Sequence, residues 1–154
     1  MFRANVLALL LALFSSFILL SSSAPVRYTP MRRATNATQC NSDSLQLLND
    51  LLTAQKQMND VAAKADTSEV QTIQGSVQNA MNSLFSITNS MSSGSAVDPA
   101  VGDAMSANIT LARNTIDSVI APDAVTANTL SDAVFTLIDA IQSGDKVVSD
   151  CIGA

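Results

Sequence analysis

A row of seven apolar side chains between Val70 and Met91 constrains the fold of this chain more than any other feature. Its members follow one another at alternating steps of three and four residues: Val70, Ile73, Val77, Ala80, Leu84, Ile87 and Met91. Such steps place side chains along one face of an α-helix, whereas a half-buried strand needs strict alternation. Gln, Asn and Ser occupy many of the intervening positions, so the helix is amphipathic and its apolar face needs a partner.

A first partner helix is predicted from about residue 44 to residue 65. Asp43 is its predicted N-cap, and Gln46 stands at the third helical position, where it completes a capping box. Its predicted inner face consists of Leu45, Leu48, Leu52, Met58, Val61, Ala62 and Ala65, with Leu51 and Ala54 beside them.

Helix-ending and helix-starting signals separate the remaining segments. Asp66 and Glu69 repeat the capping pattern, which predicts a break before the second helix, because one continuous rod would leave its apolar stripe uncovered. Residues 92–95 read Ser-Ser-Gly-Ser and predict a flexible linker. Asp98 is the predicted N-cap of the third helix, with Pro99 at the first helical position, where its missing N–H costs nothing.

Two further apolar stripes complete the pattern. The third consists of Val101, Met105, Ile109, Ala112, Ile116, Val119 and Ile120. Pro122 ends this helix and begins the next. The fourth carries Leu130, Val134, Leu137, Ile138 and Ile141, with a continuation past Gly144 to Val148 and Cys151. Four amphipathic helices with short links predict an all-α, up-down-up-down four-helix bundle.

An internal repeat runs through these stripes. The pattern apolar-x-x-small-x-x-x-apolar-x-x-apolar occurs at 51–61, 77–87 and 109–119, and in degenerate form at 134–144. The first and third helices are related by a shift of 58 residues and the second and fourth by 57, as two duplicated helical hairpins would require. Similar matches arise in any heptad helix, so ordinary periodicity is the alternative explanation.

The beginning of the chain has the features of a secretory signal peptide, predicted over residues 1–24. Arg3 provides a positive start, residues 6–20 are mostly apolar, and small residues lead to Ala24. A membrane anchor is the alternative, but the apolar run is shorter than the roughly 20 residues that span a bilayer. We therefore expect no transmembrane segment in the mature chain.

Residues 25–33 are predicted to be a propeptide, because they end in the dibasic pair Arg32-Arg33. Such a pair resembles the cleavage site of a kexin-like convertase, and a solvated basic tail is the alternative. Residues 34–42 are then predicted to form a flexible arm, and residues 43–151 the helical bundle domain.

Cys40 and Cys151 are the only two cysteines in the sequence. An up-down-up-down bundle places the start of its first helix and the end of its fourth at the same end, which brings the two cysteines together. In a secreted protein such a pair predicts a disulfide. A metal or redox site is the alternative, but two thiols without a nearby His cannot complete a tetrahedral zinc shell.

The charge balance limits the class of partner. After cleavage behind Arg33, four cations remain against all thirteen acidic residues, a net charge of −9. The four cations are Lys56, Lys64, Arg113 and Lys146. Nucleic acid and anionic lipid headgroups are bound mainly through Lys and Arg, so neither is expected as a partner.

The sequence contains little that could perform chemistry. It has no His, which removes the Ser-His-Asp and Cys-His nucleophile systems and His-ligated metal sites. It has no glycine-rich phosphate loop or calcium loop, and its acids stand singly on the predicted helices. We expect neither an enzyme nor a cofactor. The methionines at 58, 81, 91 and 105 could line an adaptable apolar cavity, with ordinary core filling as the alternative.

Two sequons for N-glycosylation lie in the predicted mature region. Asn36 opens Asn-Ala-Thr in the predicted arm, and Asn108 opens Asn-Ile-Thr at the edge of the third stripe, where a glycan would compete with packing. Both are candidate sites of a glycoprotein.

The combined features resemble those of small secreted proteins from filamentous fungi, most of which have no assigned activity. The resemblance rests on the Arg32-Arg33 leader, Cys40-Asn41 at the first helix, the Ala-centred stripes and the Ser/Gly linker. More distantly, the aromatic-poor helical chain resembles the cell-wall galactomannoprotein and hydrophobic surface-binding protein family. The second resemblance implies association with a cell wall or coating of an apolar surface, and it carries over no functional residues.

These observations predict a non-catalytic secreted protein, extracellular or associated with a cell wall, that acts at the wall or at an apolar interface. Its helices would open there, with the cystine as the hinge. A secreted, effector-like protein that binds a protein of a host or neighbouring cell is the first alternative, and a small lipid carrier is the second. The expected partners are therefore an apolar surface, a cell-wall component or an extracellular protein. The oligomeric state is left open by the sequence.

Overall fold

Four α-helices make up most of residues 32–152, the part of the chain that the computed structural model describes, with side chains from residue 37 onward. No strand occurs in this part of the chain. The elements are α1 (Arg32–Ala62), α2 (Ser68–Ser92), α3 (Pro99–Ile116), α4 (Ala124–Val147) and one π-helical turn (Val148–Ile152) that continues α4.

The helices form the up-down-up-down bundle that the sequence predicts. Each helix packs on the next one along the chain, and α1 also packs on α4, which closes the ring. The Cys40–Cys151 bond joins the beginning of α1 to the turn after α4. Near the other end of α1, Asn59 Oδ1 accepts a hydrogen bond from Gln74 Nε2 at the beginning of α2, at 2.9 Å. These contacts fix α1 antiparallel to both of its neighbours.

The apolar stripe of α2 lies in the core. Six of its seven predicted members are buried, and Met91 is partly exposed at the last turn. Leu84, in the middle of the helix, is 1% exposed. The break between α1 and α2 is also confirmed, because α1 ends at Ala62 and α2 begins at Ser68.

The inner face of α1 differs from the predicted one. Leu45 and Leu52 are 50% and 42% exposed, so their assignment to the core is wrong. The buried apolar residues of α1 are Cys40, Leu47, Leu48, Leu51, Ala54, Met58 and Val61, so the predicted burial of Leu48 is confirmed. The leucine-rich segment offers two overlapping stripes, and the one in line with the disulfide and with the second half of the helix is buried.

The beginning of α1 is also corrected. The helix begins at Arg32, so the predicted arm over residues 34–42 is helical, and Asp43 lies inside the helix and does not cap it. Its carboxylate accepts hydrogen bonds from Gln39 Nε2 at 3.1 and 3.2 Å. Gln46 does not reach back to Asp43 but donates to Asp50, at 2.9 Å.

The cap of α2 is one residue away from its predicted place. Thr67 precedes the helix with extended backbone angles, and its hydroxyl accepts the Val70 N–H at 3.4 Å. Asp66, the predicted cap, instead accepts a hydrogen bond from Gln71 Nε2 at 3.1 Å. The predicted start of α3 is confirmed, with Asp98 accepting the N–H of Ala100 at 3.0 Å.

The connection between α3 and α4 is longer than predicted. α3 ends at Ile116, and α4 begins after Asp123, whose carboxylate accepts the Thr126 N–H at 2.7 Å. Ile120, a predicted member of the third stripe, lies in this connection and is 86% exposed, so that assignment is wrong. The fourth helix does continue past Gly144, as predicted, although its last turn is a π-turn.

Asp123 should contribute to the pH dependence of stability. The Thr126 backbone N–H, and secondly the Thr126 hydroxyl, hold the pKa of the Asp123 carboxyl below its ordinary value of 3.8. Because the folded-state pKa is depressed, this stabilisation is present above pH 3.8 and is lost as the pH falls through the folded-state pKa. We expect Asp123→Asn to melt like the wild type at neutral pH, since Asn also caps, but to lose less stability in acid. Melts followed by circular dichroism across the acid range test this, and identical acid profiles would contradict it.

Candidate functional site

The two cysteines form a buried disulfide at one end of the bundle, as predicted. Their Cα atoms are 5.1 Å apart, and the side chains of Cys40 and Cys151 are 1% and 7% exposed. The Ser44 hydroxyl points at Cys151 Sγ from 3.9 Å, and it is the donor because a disulfide sulfur carries no proton. The thioether sulfur of Met91 contacts Cys40 Sγ. The bond therefore lies in a mostly apolar environment contributed by α1, α2 and the π-turn.

Two carboxylates of α1 are buried, and neither burial was predicted from the sequence. Asp43 and Asp50 are each 7% exposed. Asp50 accepts hydrogen bonds at both oxygens, from Gln46 Nε2 at 2.9 Å and from the Ser143 hydroxyl of α4 at 2.9 Å. Neutral donors from the protein itself occupy this carboxylate, and the Ser143 bond joins α1 to α4. The two aspartates are seven residues apart and share a helical face with Leu47. This spacing could have predicted that they are buried.

A close approach of backbone to side chain occurs at Gly102 of α3. This glycine is buried, and a methyl group added there would lie 2.5 Å from Ile152 Cδ1 and 3.2 Å from Val148 Cγ2. The absence of a side chain thus lets the π-turn after α4 pack directly on α3. Gly144 of α4 also allows close packing on α3, because a methyl group there would lie 3.3 Å from Ile109 Cδ1.

The arrangement offers no metal-binding cluster within the described residues. No group of three or more His, Cys, Asp or Glu side chains lies together there. Both cysteines are in the disulfide, and the described hydrogen bonds of Asp43 and Asp50 are to side chains of the same bundle. The expectation that the protein is neither an enzyme nor a cofactor carrier stays a prediction.

The methionines and the phenylalanines of the bundle differ in their surroundings. Met58, Met81 and Met105 are buried in the core, in agreement with core filling, and Met91 lies at the disulfide. Phe85 is partly buried against the core, whereas the side chain of Phe135 on α4 is 64% exposed. No cluster of aromatic faces therefore forms in the described bundle.

Large apolar side chains are also exposed at several places on the outer surface. They are Leu45, Leu52, Leu111, Ile120, Val125 and Phe135. Ile120 lies in the α3–α4 connection, Val125 lies in the first turn of α4, and the others lie on α1, α3 and α4. The segment Ala124–Ile152 is long and apolar enough to cross a membrane by length and composition alone, a property shared by many core helices. Here one face of that segment packs on α1 and α3.

The predicted processing and modification sites lie mainly at the beginning of the chain. The signal peptide over 1–24 and the propeptide up to residue 31 are outside the described residues. Arg32 and Arg33 begin α1, and Asn36 is in its second turn. Asn108 is partly exposed on α3, and its Nδ2 donates to the Ala104 carbonyl at 2.7 Å. Cleavage and glycosylation at these residues stay predictions.

Comparisons with known proteins add no relative. No family model matches the chain, and neither the curated proteins nor the solved structures contain a match. The resemblance to fungal secreted proteins therefore stays a prediction.

Proposed function

We propose that this protein is a non-catalytic, secreted helical protein that acts at a cell wall or another apolar interface. An amphipathic helix binds such an interface by laying its apolar face on it, with strength that grows with the apolar area buried. The buried disulfide is compatible with an extracellular location. The apolar partner and the extracellular location are both parts of what we propose.

One observation carries the proposal, namely the composition of the inner faces of α2 and α3. The buried residues of α2 are apolar except for Ser76, and those of α3 are all apolar or glycine. Neither inner face contains a buried charge. The outer face of α2 is mostly polar, and Gln78 and Asn82 on that face are exposed. Such helices exchange contacts in the core for contacts with an apolar surface without exposing a charge to it.

Adsorption from dilute solution tests the proposal. We expect the folded mature protein to adsorb to an apolar solid and to a zwitterionic lipid monolayer, because the inner faces supply a large apolar area. Surface pressure and a quartz microbalance measure the uptake. Uptake no greater than that of an unrelated acidic four-helix protein of the same size would refute the proposal.

A matched variant separates binding by the inner faces from sticking by exposed side chains. Ile120→Ser with Phe135→Ser removes two of the most exposed large apolar groups and leaves the core intact. We expect this variant to adsorb to the same final extent as the wild type. Loss of adsorption in this variant would assign the activity to the outer surface and contradict the role of the core.

An effector-like protein that binds another extracellular protein is the second candidate, and the exposed Phe135 favours it. Aromatic side chains are enriched at protein interfaces, and this one is 64% exposed on α4. If this candidate is correct, Phe135→Ala should abolish binding to a purified partner and leave adsorption to an apolar surface unchanged.

A further inference from the structure

The helix contacts divide the bundle into two pairs. α1 packs most extensively on α4, and α2 most extensively on α3, whereas the α1–α2 and α3–α4 contacts are smaller. The first pair is also held by specific bonds, since the disulfide and the buried Asp50–Ser143 hydrogen bond both join α1 to the end of α4. The second pair is a continuous hairpin through residues 93–98.

The chain crosses between the pairs at one end only. The two crossings are residues 63–67 and 117–123, and both lie at the end opposite the disulfide. They share that end because α1 and α3 end there and α2 and α4 begin there, in a bundle whose neighbouring helices pack on one another. Covalent connections between the pairs are thus concentrated in two adjacent loops.

At the disulfide end, the described contacts between the pairs are apolar. Met91 of α2 contacts the sulfur of Cys40, and Gly102 of α3 lies under Val148 and Ile152. The buried side-chain hydrogen bonds described here, Ser44–Cys151 and Asp50–Ser143, both lie within the α1–α4 pair. The Asn59–Gln74 hydrogen bond does cross between the pairs, but it is exposed and lies at the loop end.

We infer that the bundle opens along this one seam, with the loops 63–67 and 117–123 as the hinge, and that the opened inner faces bind an uncharged apolar surface. The α2–α3 hairpin swings away from the α1–α4 pair at the disulfide end. The identity of the surface rests on the proposed function, whereas the seam and the hinge rest on the contacts above. The cystine is then not the hinge expected from the sequence, because it holds one pair together at the end that opens.

The other way of dividing the bundle is opposed by the same contacts. Separating an α1–α2 hairpin from an α3–α4 hairpin would break the Asp50–Ser143 hydrogen bond and leave a buried carboxylate short of a donor. It would also be limited by the Cys40–Cys151 bond, which crosses that division. An uncharged surface is the fitting partner, because the acidic outer surface repels anionic headgroups.

Cross-links at the two ends of the seam test the inference. Gly102→Cys with Val148→Cys is designed to form a disulfide across the end that opens, because a Cβ atom at residue 102 would lie 3.2 Å from Val148 Cγ2. Asn59→Cys with Gln74→Cys, joined by a short bismaleimide, places a link across the same seam at the hinge end. Circular dichroism and peptide mapping establish that both variants are folded and correctly linked.

We expect the link at residues 102 and 148 to abolish adsorption to a zwitterionic lipid monolayer, and the link at residues 59 and 74 to leave it unchanged. Adsorption that survives the first link, or that both links abolish equally, would overturn the inference. In either case adsorption of the wild type would still uphold the proposed function.

Hydrogen exchange in solution tests the seam without any surface. In mild denaturant, the amides of α2 and α3 should exchange together as one unit and those of α1 and α4 as another. Gly102→Ala should speed exchange in the α2–α3 unit, because the added methyl group displaces Ile152 and Val148. Gly75→Ala is the matched control, since it adds the same group on the exposed side of α2, where nothing lies within 4 Å.

Exchange of α1 together with α2, or of α3 together with α4, would refute the seam whatever the protein does at a surface. If the wild type fails to adsorb but the exchange units are the expected ones, the proposed function fails and the seam stands. The two experiments therefore separate the two claims.

Discussion

Replacing Leu84 with alanine should lower the free energy of unfolding by about 2 to 5 kcal/mol, from lost burial and from the cavity left behind. Leu84 is 1% exposed and lies in the middle of α2, among side chains of the core cluster. A domain of this size has only about 5 to 15 kcal/mol of net stability, so the effect should be plain. Urea denaturation followed by circular dichroism at the helix bands measures it.

Asn82→Ala is the control in the same helix. Asn82 is exposed, and its Oδ1 accepts a long hydrogen bond of 3.3 Å from Gln78 Nε2. Alanine is the better helix former, by roughly half a kcal/mol, so this variant should match or slightly exceed the wild type. Equally small effects at both positions would mean that the α2 stripe is not buried in the monomer, and would favour an oligomer or an open rod.

The α2 stripe was predictable because it allows one interpretation only. Its seven apolar residues share one register from Val70 to Met91, and the intervening positions are mostly polar apart from Met81 and Phe85. Asp98 and Pro99 were predictable for a similar reason, since a capping side chain followed by Pro has few alternatives at the start of a helix. Strong local signals were sufficient at these places.

α1 was less predictable because its local signals compete. Leu45, Leu48 and Leu52 form one possible stripe, and Leu47 and Leu51 form another. Leu47, Leu48 and Leu51 are buried, whereas Leu45 and Leu52 are exposed. The buried side is in line with Cys40, whose place in the core is fixed by a partner 111 residues away. Asp43 likewise has the appearance of a cap, but the helix begins earlier and the carboxylate bonds to Gln39 one turn back.

The contacts that divide the bundle into two pairs could not be read from the chain. The Asp50–Ser143 bond joins residues 93 positions apart, and nothing local marks either residue as half of a pair. Gly102 is similar, because its small size matters only once the π-turn of residues 148–152 packs against it. Periodicity predicts which faces are buried, but the extent of each helix–helix contact depends on side-chain sizes on two helices at once.

Removal of the disulfide is the second change expected to have a large effect. The bond closes a loop with a sequence separation of 111 residues. In the chain-entropy model, such a loop stabilises the folded state by about 4 to 5 kcal/mol, and measured losses for native bridges are about 2 to 5 kcal/mol. We expect the double variant Cys40→Ala with Cys151→Ala to lose stability in this range in urea denaturation at neutral pH. The double change avoids leaving one buried free thiol.

The helices that lose stability when the disulfide is removed are as informative as the size of the change in unfolding free energy. If the disulfide acts within the α1–α4 pair, the double variant should speed hydrogen exchange in α4 and in the first half of α1 more than in α2 and α3. Ser44→Ala is the matched control, because it removes the weak contact of 3.9 Å to Cys151 Sγ and keeps the bond. Its loss should stay below about 1 kcal/mol, since a hydrogen bond this long contributes little. A double variant as stable as the wild type, with uniform exchange in all four helices, would show that the disulfide is not needed to hold α1 to α4.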